Sequence, residues 1–167
     1  MCIRDRSTVA AHVEVVAGPG DPTCGRTAYP WSVDPEDPGV RMTMQAAPGT
    51  TCLITVSVVN HGRLPVTLDG YTLIDVLNPR FGRGALVART DGISDVPTRE
   101  SSAGDGALEF ESGVTIAPGD WTTISYALTV NPNACVDAGL WGVTGPQVRI
   151  RVLGRTMSVP SSIMTFA

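Results

Sequence analysis

Two carboxylates on one short predicted strand are the residues best placed to do chemistry. Glu109 and Glu111 flank Phe110, so an extended backbone puts both acidic side chains on the same face. Paired carboxylates divide the acid and base roles in glycoside hydrolysis. Neighbouring polar positions on an edge strand give the same pattern by default. We therefore predict that the chain is not an enzyme and has no catalytic residues, with a cryptic glycoside hydrolase as the weaker alternative.

Nucleophilic catalysis has few residues available to it. His12 and His61 are the two histidines, and the chain has no Gly-x-Ser-x-Gly elbow and no Cys/His signature. All twelve basic residues are arginine, which excludes Schiff-base chemistry and P-loop phosphate binding, since both need a lysine amine. Two histidines are also too few for a multi-histidine metal site. We predict no cofactor.

Two further groups of side chains carry metal-binding atoms. One is an acidic cluster in a polar loop, formed by Asp91, Asp95, Asp105 and Glu109. Its oxygens suit calcium, but their spacing matches no calcium motif, so a solvated loop is the simpler interpretation. The other group is the methionines, whose thioethers suit copper(I). Met42 and Met44 alternate with polar residues, as core positions do, and we predict no metal site.

Carbohydrate binding is the first alternative to a protein-binding role. The three tryptophans, Trp31, Trp121 and Trp141, and the tyrosines could stack on sugar rings, and we name Trp31 and Trp141 as candidate ligand-stacking residues. The chain is only 5% aromatic, so core and loop anchoring compete for these side chains. In particular, Trp31 and Tyr29 lie in a segment rich in proline and glycine, residues 18–39, and we expect them to pin this irregular loop to the fold.

The elements that position these residues are predicted to be β-strands. Between Thr50 and Val76, apolar and polar residues alternate, and Cys52 and Val58 lie on the apolar face. A period of two is that of a half-buried strand. The alternation breaks at Asn60-His61-Gly62, which contains residues that tolerate positive φ. Asp69-Gly70 predicts a bulge in the second half.

The same alternation recurs along most of the chain. Val13 and Val15 point inward near the start, a Pro118-Gly119 turn leads into another alternating strand, and a hairpin follows Val148. No window has a helical period. Eight or nine short strands separated by turns predict one all-β domain, residues 8–167, folded as an antiparallel immunoglobulin-like β-sandwich.

Composition limits the classes of partner. The net charge is −4, which gives no basic footprint for nucleic acid. No apolar run approaches the ~18 residues of a membrane-spanning helix, so we expect no membrane insertion. Met1–Arg6 resembles translated sequencing-adapter sequence, and we interpret residues 1–7 as a non-native leader that replaces any signal peptide.

The remaining cysteines predict an oxidising compartment. Cys52 lies on the apolar face of its strand, whereas Cys24 and Cys135 lie in turn-rich stretches without other anchors. We predict a Cys24–Cys135 disulfide, with Cys52–Cys135 or free thiols as alternatives. Disulfides persist in secreted and envelope proteins, so the expected location is extracellular or in the cell envelope.

Two stretches of the chain resemble a bacterial extracellular immunoglobulin-like domain. They are the valine-rich strand and turn Thr55–Gly62, continuing into Pro65–Leu68, and the segment Val114–Asp120 that enters a strand. They are similar to the adhesion-related CARDB and NEW3-like sandwich modules of secreted proteins, over roughly residues 40–130. The resemblance implies a spacer, ligand-binding or adhesion module with a protein or surface-glycan partner, and brings no catalytic residues with it.

Overall fold

The computed structural model of the chain is built from β-strands. It describes residues 12–33, 40–43, 49–73, 99–100, 108–129, 142–161 and 163–166. The strands are β1 (Val13–Ala17), β2 (Thr23–Cys24), β3 (Thr27–Ala28), β4 (Ser32–Val33), β5 (Val40–Thr43), β6 (Thr51–Asn60), β7 (Val66–Leu73), β8 (Arg99–Glu100), β9 (Leu108–Ile116), β10 (Trp121–Thr129), β11 (Gly142–Thr144), β12 (Gln147–Val152), β13 (Arg155–Val159) and β14 (Ile163–Phe166). Nowhere in the described ranges is there a helix long and apolar enough to cross a membrane.

Strand β6 is the centre of the first sheet. Strands β1 and β2 pair with successive parts of one edge of β6, β3 pairs with β2, and β10 covers the other edge along its whole length. All of these pairings are antiparallel. The second sheet has the order β13-β12-β7-β9-β8 and is also antiparallel. A third sheet, β11-β14-β5-β4, contains one parallel pair, β14 with β5.

The first and second sheets share one apolar core. Alternate side chains of β1, β6 and β10 are buried with alternate side chains of β7, β9 and β12. At its centre the rings of Tyr71 and Phe110 stack, with centroids 4.6 Å apart and planes inclined by 9°. Two antiparallel sheets around one core make this an immunoglobulin-like sandwich, which confirms the predicted fold class.

The strand boundaries differ from the prediction in three places. Residues 18–39, predicted to be an irregular loop, contain the short strands β2, β3 and β4. Strand β9 is continuous, whereas the sequence pattern predicts two short strands there, Ala107–Phe110 and Val114–Ile116. The C-terminal return strand is divided at Pro160 into β13 and β14, which belong to different sheets. Two-residue strands are too short for a period, and proline cannot donate a ladder hydrogen bond.

The predicted bulge is present in β7. Leu68 pairs with Ile150 and Gly70 with Arg149, so Asp69 is an extra residue relative to β12. The insertion lets Leu68 and Tyr71, three positions apart, both face the core. It also leaves Asp69 on the outer face of the second sheet, where Arg151 reaches it.

Two of the predicted turns are present, each with glycine at a position of positive φ. Asp120 N donates to Ala117 O at 3.0 Å and Gly119 has φ 76°, which is a type II turn with proline and glycine at its centre. Leu153 and Gly154 join β12 to β13 with φ values of 48° and 75°, the signs of a type I′ hairpin.

The turn after β6 is held by a side chain. The predicted turn is present, but none of Asn60, His61 and Gly62 adopts positive φ. Instead the buried amide of Asn60 donates to Leu64 O at 2.8 Å and to Ile116 O at 3.1 Å, and accepts from Gly62 N at 2.9 Å. One side chain thus closes the turn and ties it to the end of β9.

Candidate functional site

The disulfide joins Cys24 to Cys52, so the predicted Cys24–Cys135 bridge is wrong. The two cysteines are direct partners of β2 and β6, with Cα atoms 3.9 Å apart. Gly25 N donates to Thr51 O beside them, which makes theirs a non-hydrogen-bonded pair, the closer kind in an antiparallel ladder. The prediction failed because nothing in the sequence shows that β2 lies against β6. Cys135 lies outside the described residues.

Peptide mapping without reduction tests this connectivity. Trypsin separates the three cysteines: Cys24 in residues 7–26, Cys52 in 42–63 and Cys135 in 100–149. We expect the first two peptides to appear as one linked species that separates on reduction, because their sulfur atoms are already bonded in the fold. The third peptide, found linked to either of the others in freshly folded protein, would contradict the pairing.

Of the two tryptophans named as stacking candidates, the structure describes Trp31. Trp31 is half-buried, packs against the core and donates from Nε1 to Gly20 O at 3.1 Å. Tyr29 packs beside it, as expected for residues that anchor a loop. Trp141 lies outside the described residues, as do the acidic residues Asp91, Asp95 and Asp105. In the described ranges, no three His, Cys, Asp or Glu side chains are grouped as a metal site would require.

Glu109 and Glu111 lie on an open, charged surface, the outer face of the second sheet. Glu109 Oε2 is 3.4 Å from a guanidinium nitrogen of Arg149. Glu111 pairs with Gly70, whose other neighbour is the same arginine. Arg151 and Asp69 form a further ion pair at 2.8 Å. The structure therefore brings these carboxylates next to arginines along a sheet face.

The outer face of the first sheet, unlike that of the second sheet, is almost uncharged. Its five strands contain a single acidic or basic residue, Glu14, whose carboxylate is 3.2 Å from Nε2 of His61. The rest of this face, which we call the neutral face, consists of Val16, Thr23, Thr51, Leu53, Thr55, Ser57, Val59, Trp121, Thr123, Ser125 and Ala127, of which Ser57 and Ala127 are only 8% exposed. Hydroxyl and apolar side chains thus cover a whole sheet face with almost no charge.

Two large apolar side chains stand out from the neutral face. Trp121 is 54% exposed and Leu53 is 47% exposed. Trp121 pairs with Val59, six residues from Leu53 along β6, so the two mark a strip roughly 20 Å long. Between them Thr55 Oγ1 and Ser125 Oγ are hydrogen-bonded at 2.9 Å. Exposed apolar groups gathered on one face are the usual sign of an interaction site.

Sequence reasoning did not select Trp121, although a signal was present. The inward positions Ile124 and Tyr126 fix the phase of β10, and counting back by alternation places Trp121 outward with Thr123. The outward orientation of Trp121 at the start of β10 was therefore predictable from the sequence. What the sequence could not show is that its neighbours on β1 and β6 are also uncharged.

A groove of about 530 Å³ at one end of the sandwich brings the two histidines together. His12 and His61 lie at its rim with Arg63, and its apolar wall includes Leu64 and Val152. None of the described residues lining it is a serine, threonine or cysteine, so the histidines have no nucleophile to activate there. His61 is instead engaged with Glu14.

Comparison with known proteins gives only distant structural likenesses. No family profile matches the chain, and no curated protein matches it. Among solved structures, it is similar to Northeast Structural Genomics Consortium target SoR45 (10% identity, TM-score 0.43, covering 92% of this chain and 84% of the other). It is also similar to an ASH/PapD-like domain of human CEP192 (10%, 0.40, 99% and 91%).

A third likeness is to part of an enzyme. A GH20 exo-β-N-acetylglucosaminidase from Vibrio harveyi matches with 10% identity and a TM-score of 0.38, over 91% of this chain and 18% of the enzyme. At these identities and TM-scores, none of the three assigns a family or a function to the chain.

Proposed function

We propose that this chain is a non-enzymatic interaction module of a secreted or cell-envelope protein. Its neutral face binds an uncharged, apolar surface of a partner protein. The observation that carries this proposal is the exposure of Trp121 and Leu53 on a sheet face whose strands contain no charge except Glu14. The opposite outer face, with its Arg149–Glu109 and Arg151–Asp69 pairs, has the charged character of an ordinary solvated surface.

The chemistry of the neutral face favours a protein over a sugar. The centres of protein interfaces are depleted of charge and enriched in tryptophan, which also dominates binding energy. Leu53 and the half-buried Val16 and Val59 add aliphatic surface, which has no role in stacking on a sugar ring. Trp121 is the one aromatic residue among those of the neutral face.

The disulfide supports the proposed compartment. A covalent bond between Cys24 and Cys52 persists in an oxidising environment and is rare in reducing cytosol. The resemblance to adhesion-related CARDB and NEW3-like modules supports the same location and the same kind of role. The ion pair of Glu109 with Arg149 lies on an open, charged sheet face, which supports a non-enzymatic reading of that carboxylate.

Site-specific photo-crosslinking tests the proposed face. A benzoylphenylalanine introduced in place of Trp121 is compared with one in place of Thr115, an exposed residue on the outer face of the second sheet. Both proteins are irradiated with the secreted and envelope fractions of the source organism. We expect one discrete protein adduct from position 121, because the partner covers that residue, and none from position 115.

Two results would count against the proposal. Equal crosslinking from both positions would show that the neutral face is not a preferred surface. Retention of the wild-type protein on cellulose or chitin beads, lost in Trp121→Ala, would replace the protein partner with a glycan.

A further inference from the structure

Among the described residues, one edge of the first sheet is formed by β10. Gly18 N and Gly25 N donate to Thr55 O and Thr51 O at 3.1 and 3.0 Å, on the β1 and β2 side of β6. In an antiparallel ladder, alternate residues direct their backbone groups to opposite edges. The alternate residues of β6 therefore direct their backbone N–H and C=O groups to β10: Cys52, Ile54, Val56 and Val58.

This alternation fixes which backbone groups of β10 are used. Four residues of β10 direct their backbone hydrogen bonds to β6, because each lies opposite one of those β6 residues: Thr122, Ile124, Tyr126 and Leu128. The N–H and C=O groups of the alternate residues point away from β6: Trp121, Thr123, Ser125, Ala127 and Thr129. No strand of the described ranges pairs with that side of β10.

Within the described residues, the β10 strand itself carries no charge, proline or bulge that would hinder pairing. Natural sheets blunt such edges with charged side chains, proline, bulges or very short strands. Strand β10 spans Trp121–Thr129, contains no charged residue and no proline, and keeps an unbroken register with β6. A long, regular, uncharged edge is a template for another strand.

We propose that the β10 edge pairs with the β10 edge of a second copy of this chain. Antiparallel pairing about a twofold axis puts Ser125 opposite its own copy, Thr123 opposite Ala127 and Trp121 opposite Thr129. These are the residues whose backbone groups are directed outward, so five such pairs form about ten hydrogen bonds. The two first sheets become one continuous sheet.

Charge and shape favour a second copy as the occupant. An isologous contact places each residue against a symmetry mate, so any charge near the axis would meet its like. None is present in β10, and the small Ser125 side chain at the axis leaves room for the two backbones to approach. The neutral faces of the two copies then lie side by side on the same side of one continuous sheet.

Opposite charges at the axis test this pairing in the full chain. Sedimentation velocity is measured for the wild type, Ser125→Lys and Ser125→Asp, each alone and the two variants mixed. We expect the wild type to approach twice 17.5 kDa as its concentration rises. Each variant alone should dimerise at least about tenfold more weakly, because like charges directly opposite one another in a ladder repel.

The mixture separates the proposal from misfolding. Ser125→Lys with Ser125→Asp should recover the wild-type association, since a lysine ammonium then faces an aspartate carboxylate across the axis. Thr67→Lys, on the outer face of the second sheet, serves as the control and should dimerise like the wild type. A wild type that stays monomeric up to its solubility limit overturns the proposal. So does a dimer whose association constant is unchanged in both Ser125 variants.

Discussion

Replacing Asn60 with alanine is expected to lower the free energy of unfolding by about 4 kcal/mol. The amide of this residue, 1% exposed, satisfies Leu64 O, Ile116 O and Gly62 N. Removing it leaves three backbone groups without a partner in or near the core, and each loss costs about 1–3 kcal/mol. Urea unfolding followed by far-ultraviolet circular dichroism measures the change.

Two further variants identify the cause. Asn60→Asp has nearly the same shape but loses both N–H donors and turns oxygen atoms toward Leu64 O and Ile116 O, so it should be at least as destabilised. Ser57→Ala, at another buried polar position of the same strand, should change the unfolding free energy by less than about 1 kcal/mol. An Asn60→Ala protein as stable as Ser57→Ala would show that the three bonds contribute little.

Replacing Gly70 with alanine is expected to cost about 3 kcal/mol. A Cβ atom at this position would collide with Phe110 O of the neighbouring strand and would lie 2.8 Å from a guanidinium nitrogen of Arg149. The side chain can move, but the carbonyl belongs to the ladder between β7 and β9, so the strands must separate. Thermal or urea unfolding of the variant measures the loss.

Gly113→Ala provides a matched control for this change. Gly113 lies in β9, and a Cβ atom there meets nothing within 4 Å. Alanine also has less backbone freedom than glycine in the unfolded chain, so we expect no loss, or a gain of about 0.5 kcal/mol. Similar destabilisation of both variants would mean that the general preference of the strands, and not the contact with Phe110, decides the outcome.

The sequence predicts the sandwich because buried positions on a strand recur every second residue, and this alternation of apolar and polar residues is evident in the sequence. Three stretches alternate as half-buried strands do, and their inward residues are buried as expected: Val13 and Val15; Cys52, Ile54, Val56 and Val58; and Val148, Ile150 and Val152. The Pro118-Gly119 turn and the Asp69 bulge were also predictable, since both depend on local backbone chemistry. Alternation does not say which strands become neighbours.

The candidate site depends on that missing information. The disulfide was misassigned because the pairing of β2 with β6 is a long-range contact between a two-residue strand and the centre of the sheet. The neutral face likewise exists only because β1, β6 and β10 are adjacent, each contributing uncharged outward residues. Asn60 was read as a turn residue, since its type allows positive φ, and its bond to Ile116 O spans 56 positions.

The Cys24–Cys52 bond has a mechanical consequence when the chain is pulled from its two ends. Traction applied at the two ends of the chain bypasses the 28-residue span between the bonded cysteines, because the sulfur bridge carries the force across it. At about 3.4 Å per residue, the disulfide reduces the length to which the unfolded chain can extend by roughly 90 Å. Several such domains joined in series would therefore extend less under force, and reduction of the disulfides would increase their extension.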